Sequence, residues 1–280
     1  MDDGRQQTTD LTLAADWESA CRRMVSAIKQ EMLRFPTSVE RSVELGQGAS
    51  GDFTLVVDAA AEQAVFDELQ LLADEGARFC ALSEERGEVD FGAGGVKVVV
   101  DPIDGSLNAR RVAQSWSLSL ALAVGETMDD VVYGYVYDFG SDEEWIARRG
   151  EGAWLDGELL DASHQGYGLE VVGLESTKPA FFTPELVAAL SGRVSRIRSI
   201  GSIALTLCQV AAARYDGMLS LRPCRAIDAA AGQLIAREAG ASVTYGDPEG
   251  LIAPLELAPY KCIAAARDAE RAAFLISTAG

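Results

Sequence analysis

Val96-Lys97-Val98-Val99-Val100-Asp101-Pro102-Ile103-Asp104-Gly105-Ser106 is the stretch that decides how the rest of the chain is read. Residues 96–100 form a continuous β-rich stretch, valine at four of its five positions, and read as a buried strand. The next six residues place two carboxylates three positions apart, on a turn fixed by Pro102 and loosened by Gly105. Such a pair can reach one hard cation together. Gly105 and Ser106 add backbone N–H groups and a hydroxyl beside it. A metal next to a small anion cradle points to phosphate-ester chemistry. On their own, the same six residues could also be a turn with Asx hydrogen bonds. They are not an EF-hand, which needs a longer acidic loop closed by Glu.

Working outward, apolar residues from Leu13 to Leu33 recur at helical spacing and predict one helix over residues 11–35, stopped by Pro36. Residues 1–10 are polar and expected to fray. Residues 46–51 read as a loop and 53–57 as a short strand. Residues 59–72 read as an amphipathic helix with Asp58 as its N-cap. Strands are predicted at 79–82, 117–124 and 131–137, with a hairpin pairing 145–147 and 152–155. A Gly- and polar-rich stretch at 161–168 divides the chain into an α+β lobe (1–165) and an α/β lobe (166–280). The second lobe carries predicted strands at 171–174, 242–245 and 262–265. Its predicted helices are 184–190, 202–213 with Ser202 as N-cap, 229–239 ending at Gly240, and 268–278. This order suggests layered α and β rather than a simple doubly wound sheet.

The bulk composition narrows the partners. The chain has 280 residues and a formal net charge of −19. That argues against nucleic acid and against an anionic membrane surface. An anionic substrate stays possible, because a bound divalent cation inverts the local field. Lysine occurs only at positions 29, 97, 178 and 261, the other basic residues being arginine. Cys21, Cys80, Cys208, Cys224 and Cys262 are odd in number and form no C-x-x-C. They are expected to be reduced core residues of a cytoplasmic protein. The acidic N-terminus is no signal peptide, and no apolar run reaches membrane-spanning length.

Acidic residues fall at four strand-to-loop or strand-to-helix junctions: Asp58, Glu84 with Glu85, the Asp101/Asp104 pair, and Asp228. Junctions of this kind bring distant residues to one rim of a sheet. An all-oxygen cluster there suits Mg²⁺. His164, the only histidine, lies in a polar loop and reads as a surface residue, so zinc is not expected. Taken singly, Asp58 and Asp228 could merely cap helices, and Glu84-Glu85 could be a solvated loop.

Together the pieces resemble the inositol monophosphatase superfamily of Mg²⁺-dependent, lithium-sensitive sugar phosphatases, over nearly the whole chain. The matching motifs are Gly51-Asp52-Phe53-Thr54 with Asp58 and Glu62, then Ser83-Glu84-Glu85, then Asp101-Pro102-Ile103-Asp104-Gly105-Ser106 with Asn108. The last is Ile227-Asp228 with Ala230-Ala231-Gly232 and Glu238-Ala239-Gly240. The resemblance implies a five-layer αβαβα sandwich and a homodimer. It implies two to three Mg²⁺ ions. Glu84, Asp101 and the Ile103 carbonyl would hold one, Asp101, Asp104 and Asp228 a second, and a weaker third would sit near Glu84 with Glu85 or Asp58. Gly105 and Ser106 N–H groups would cradle the phosphate. A metal-activated water would attack in line, with Glu84 and a Ser106–Asp58 hydroxyl relay taking its proton.

Departures lie on the substrate side. Residues 220–227 hold Arg222 and Arg225 and no acid, where inositol-specific relatives carry an acidic residue. With Arg198 ahead of Gly201-Ser202, this looks more like the archaeal-type dual fructose-1,6-bisphosphatase/inositol-monophosphatase branch. Arg198, Ser202, Arg222 and Arg225, with Asp104, are the expected substrate contacts, because guanidinium pairs with phosphate in a bidentate fork. Salt bridges on an acidic surface are the other reading of the arginines. The motif is followed by Ala109-Arg110-Arg111, where relatives carry an aromatic residue and a glycine loop. The expected substrate is a small phosphorylated sugar, fructose 1,6-bisphosphate or inositol 1-phosphate. 3′-Phosphoadenosine 5′-phosphate, or a catalytically inactive binding protein on the same fold, are the alternatives.

Overall fold

The computed structural model of the protein describes residues 2–49, 53–92, 94–162 and 168–279, with the side chains of residues 2–6 excepted. Its first part runs α1 (Asp2–Leu13), α2 (Trp17–Leu33), α3 (Ser38–Arg41), β1 (Glu44–Gln47), β2 (Phe53–Leu55), α4 (Val56–Asp74), β3 (Phe79–Ser83), β4 (Gly87–Asp90) and β5 (Val96–Asp104). Then follow α5 (Ser106–Arg110), β6 (Ser117–Ala123), β7 (Val131–Asp138), β8 (Glu143–Arg148), β9 (Gly152–Leu155) and β10 (Glu158–Leu159). After these come β11 (Leu169–Glu175), α6 (Pro184–Leu190), β12 (Val194–Arg198), α7 (Ile203–Ala211) and β13 (Gly217–Ser220). The chain ends with α8 (Ala226–Glu238), β14 (Ser242–Thr244), β15 (Ala264–Ala266) and α9 (Ala269–Ser277).

Two sheets organise the molecule. One has eight strands in the order β10-β9-β8-β7-β6-β5-β3-β4, the other five in the order β12-β11-β13-β15-β14. Helices α2 and α4 cover the outer face of the first sheet, α7 and α8 lie between the sheets, and α6 and α9 cover the second. The layered α/β expectation holds.

The alternation along β6 shows why both faces are buried. Leu118, Leu120 and Leu122 point to α2 and α4, whereas Ala121 and Ala123 point to α8. The α8 side is built from small residues, so that a helix can approach the sheet closely. A Cβ on Gly134 of β7 would lie 2.9 Å from the Ala231 carbonyl of α8, and one on Gly232 would lie 3.0 Å from Leu207 of α7. Helix α8, which carries Asp228, is therefore held from both sides.

Several local expectations are corrected. The helix predicted over 11–35 is two helices, because Asp16 caps α2 by accepting the Ser19 N–H at 3.1 Å. Residues 2–10, expected to fray, belong to α1, which is tied down by Thr12 bonding both the N–H and the carbonyl of Arg78. Residues 46–47, expected in the loop, belong to strand β1. The strand at 53 stops at Leu55, and the one at 96 continues to Asp104 with a register shift between Asp101 and Asp104. Gly51-Asp52, His164 and the 165/166 lobe boundary lie outside the described residues. All five cysteines are free, with Cys21, Cys208 and Cys224 buried. Among the described residues, no helix is long and apolar enough to cross a membrane.

Candidate metal and phosphate site

Strand order brings the acidic junctions together. β3 and β5 run parallel with Ser83 beside Val100, so Glu84, one step past β3, emerges next to Asp101. The antiparallel neighbour β6 sets Ser119 opposite Asp101. The Ser119 hydroxyl donates to the Ile227 carbonyl at 3.5 Å, fixing the first turn of α8 at the same rim. Neither Asp58 nor Asp228 is an N-cap. Each is the third residue of its helix and accepts a backbone N–H from the residue before the helix: Leu55 for Asp58 at 3.3 Å, Arg225 for Asp228 at 3.2 Å. Each carboxylate keeps the helix-dipole advantage of the first turn and is turned inward.

Carboxylate oxygens of Asp101, Asp104 and Asp228 all lie within 4.8 Å of one another, and the three residues are buried. Asp104 Oδ2 accepts from the Ser202 hydroxyl (2.5 Å) and the Ala204 N–H (2.8 Å), binding it to the start of α7. Asp101 Oδ1 accepts the Ile103 N–H at 2.9 Å. Glu62 organises the turn that presents Glu84, accepting from the Ser83 hydroxyl and the N–H groups of Glu85 and Arg86. Gly105 has φ 99° at the start of α5, a conformation only glycine takes readily, and a Cβ there would meet the Ser115 and Gly201 carbonyls at 3.1 and 3.3 Å. The Ser106 hydroxyl donates to the Ile103 carbonyl at 3.0 Å. Among the described residues the Ser106 hydroxyl and Asp58 share no hydrogen bond. Asp58 Oδ1 is buried and has no hydrogen-bond partner among the described residues.

The electrostatics are those of anions forced together. Burial, then the charges of Glu84 and Asp104, pushes Asp101 well above the usual carboxylate range. Burial and the charge of Asp228 push Asp104 up to about 8, against the pull of its bonds to Ser202 and Ala204. Burial, then Glu85, pushes Asp58 up to about 7. Glu84 is raised by burial, with Arg225 opposing. An all-oxygen donor set, close-packed anions and an orphaned Asp58 oxygen fit a hard divalent cation.

These shifts give a signed prediction. Raised carboxyls bind protons more tightly in the folded chain than in the unfolded one. Their contribution to stability is full below the ordinary carboxylate range and is lost as pH rises through about 7 and 8. The metal-free protein is expected to melt at a lower temperature at about pH 8.5 than at about pH 5.5, and divalent cation is expected to narrow the gap. Thermal melts in EDTA check this, and a melting temperature that rises across the window contradicts it.

A cavity of about 540 Å³ opens beside the carboxylates, between the chain ends that follow β11 and β13. Asp104, Asp228, Asn108, Glu175, Lys178, Arg222 and Arg225 line it. Arg222 lies over the Phe181 ring, 5.4 Å from its centroid. The Arg225 guanidinium faces inward onto Glu84 and Asp228. Arg198 lies exposed on the edge strand β12, bonded to the carbonyl of Ile197, and is not among the lining residues. Ser202 is spent on Asp104 and on capping α7.

Two charged lining residues were not singled out as site candidates from sequence. Lys178 follows β11 at the carboxyl end of a parallel strand, the usual place for a ligand, and its rarity as a lysine was a usable signal. Glu175 is buried and holds the N–H groups of Ile200 and Gly201 and the Thr206 hydroxyl, shaping the cavity wall. A lone Glu at a strand end gave no signal of that.

Comparison with known proteins places this geometry among relatives. The inositol monophosphatase family model matches residues 11–279. A fructose-1,6-bisphosphatase/inositol-1-monophosphatase of Thermococcus kodakarensis is 31% identical over 230 residues, covering 82% of this chain and 84% of that protein. The Nus factor SuhB of Escherichia coli is 32% identical over 210 residues, covering 72% of this chain and 75% of that one. Among solved structures, an inositol monophosphatase–fructose 1,6-bisphosphatase superposes with a TM-score of 0.81 at 26% identity, covering 94% of this chain and 99% of that one.

Proposed function

Because the chain belongs to the inositol monophosphatase family, we propose that it is a Mg²⁺-dependent phosphomonoesterase acting on a small phosphorylated sugar or cyclitol, with fructose 1,6-bisphosphate and inositol 1-phosphate the leading substrates. The observation that carries the proposal is the convergence of Asp101, Asp104 and Asp228 beside a cavity flanked by Lys178 and Arg222. Glu84, Asp101, the Ile103 carbonyl, Asp104 and Asp228 would hold the ions. When bound, Mg²⁺ supplies a water of lowered pKa and a clamp on the transferring phosphoryl oxygens. The chain's own groups do the rest. N–H groups of Gly105 and Ser106, opening α5, orient the phosphate. Glu84 accepts the proton of the attacking water. Burial of the acids keeps bulk water from screening them. Lys178 and Arg222 would grip a second phosphate across the cavity.

Arg222 separates the two substrates. Arg222→Met is expected to lower kcat/KM for fructose 1,6-bisphosphate by about 10- to 100-fold, the loss of one charge-assisted contact. Inositol 1-phosphate turnover is expected to stay near that of the parent. Side-by-side phosphate release measures both, and an equal loss on the two substrates contradicts the second-phosphate role. The SuhB relative, which carries the name Nus factor, favours one other reading, a binding protein on the same fold. That reading predicts no metal-dependent release from either substrate.

A further inference from the structure

Arg225 is drawn into the carboxylate cluster rather than left in the cavity. Its Nη1 pairs with Glu84, its Nη2 reaches Asp228 Oδ1 at 3.1 Å, and its Nε lies 3.4 Å from Asp228 Oδ2. One side chain thus engages both oxygens of Asp228 and one of Glu84. Helix geometry explains only the backbone part: Arg225 precedes α8, Asp228 is its third residue, and their N–H···O bond persists wherever the guanidinium points. The side-chain part is a choice. The side chain is only 22% exposed, and it ties α8 to the turn after β3, 141 residues away.

A divalent cation and a guanidinium are both positive, and both need the same oxygens. We propose that Arg225 is a built-in counter-ion of the cluster that competes with the divalent cation for Glu84 and Asp228. This rests on the metal-dependent reading above. Two consequences follow from the tether. Arg225 is always present at high effective concentration, so it weakens cation binding. It also neutralises part of a buried anionic cluster, so it stabilises the fold when no cation does. Metal loading moves the guanidinium toward the cavity it already lines. Arg225 is on this account a positioning residue that sets the cation threshold.

The test is a calorimetric Mg²⁺ titration of the EDTA-stripped protein without substrate, paired with thermal melts in EDTA, for the parent, Arg225→Gln and Arg225→Lys. Arg225→Gln is expected to bind Mg²⁺ about tenfold more tightly, within the ordinary range of coupling between two sites. Its metal-free form is expected to melt roughly 5 °C lower. Arg225→Lys keeps the charge but not the fork and is expected to fall between the parent and Arg225→Gln in both. Equal or weaker Mg²⁺ binding by Arg225→Gln overturns the proposal and leaves Arg225 as a substrate contact alone. If the parent binds no Mg²⁺, the metal-dependent reading fails separately. The counter-ion then stands or falls on the melts, and an unchanged melting temperature for Arg225→Gln overturns it.

Discussion

Asp101→Asn is expected to leave a folded protein whose phosphate release falls about 10³-fold or more. Asp101 is buried at the centre of the cluster, beside Glu84 and within 4.8 Å of Asp104 and Asp228. Asn has nearly the same shape but brings no charge to a cation. Metal stabilisation of the transition state is worth several kcal/mol, and each 1.36 kcal/mol is tenfold in rate. The same change relieves repulsion, because Asp101 is raised by burial and by its anionic neighbours. The metal-free variant is therefore expected to melt at or above the parent's temperature. Kinetics in Mg²⁺ and melts in EDTA together check this. A variant that keeps its activity contradicts the role of Asp101, and one that unfolds contradicts the repulsion argument.

Gly134→Val is expected to lose about 2–3 kcal/mol of stability, the usual cost of overpacking a filled core, which is roughly 5–10 °C in melting temperature for a chain of this size. Val is a better strand former than Gly, so intrinsic preference on β7 favours the variant. The opposing effect comes from α8. A Cβ at 134 lies 2.9 Å from the Ala231 carbonyl, and α8 cannot retreat, because Gly232 on its far side is already against Leu207 and Ala204 of α7. Any displacement carries Asp228 away from Asp101, so activity is expected to fall with stability. Thermal melts and phosphate release are the readouts, and a variant as stable as the parent would show that the helix is not clamped.

The sequence made the site legible where chemistry and chain order coincide. Asp101 to Ser106 holds two of the proposed ligands and the proposed anion cradle in six residues, and no core requirement explains that spacing. Asp58 and Asp228 were placed at the right helices but one turn position early. The pattern marks where apolar periodicity begins, whereas the helix starts at the residues that accept its first backbone bonds. The split of the first predicted helix escaped for a related reason: Leu13 and Trp17 keep helical spacing across a break made by the Asp16 cap. The strand extension through Pro102 was hidden because a proline usually ends a ladder, and here it sits in the irregular register between Asp101 and Asp104. Arg225 read as a phosphate ligand from the likeness of residues 220–227 to the archaeal-type branch and from guanidinium–phosphate pairing. Its pairing with Glu84 depends on the parallel β3–β5 neighbourhood, which no local pattern encodes.

Carboxylates clustered in this way would make phosphate release depend on a divalent cation. The most direct measurement is inorganic phosphate released from fructose 1,6-bisphosphate and inositol 1-phosphate by EDTA-stripped protein, before and after Mg²⁺ is added back. No release is expected before addition, and catalytic turnover of at least one of the two is expected after it. Release that is equal with and without Mg²⁺, or absent from both substrates in its presence, would contradict this expectation.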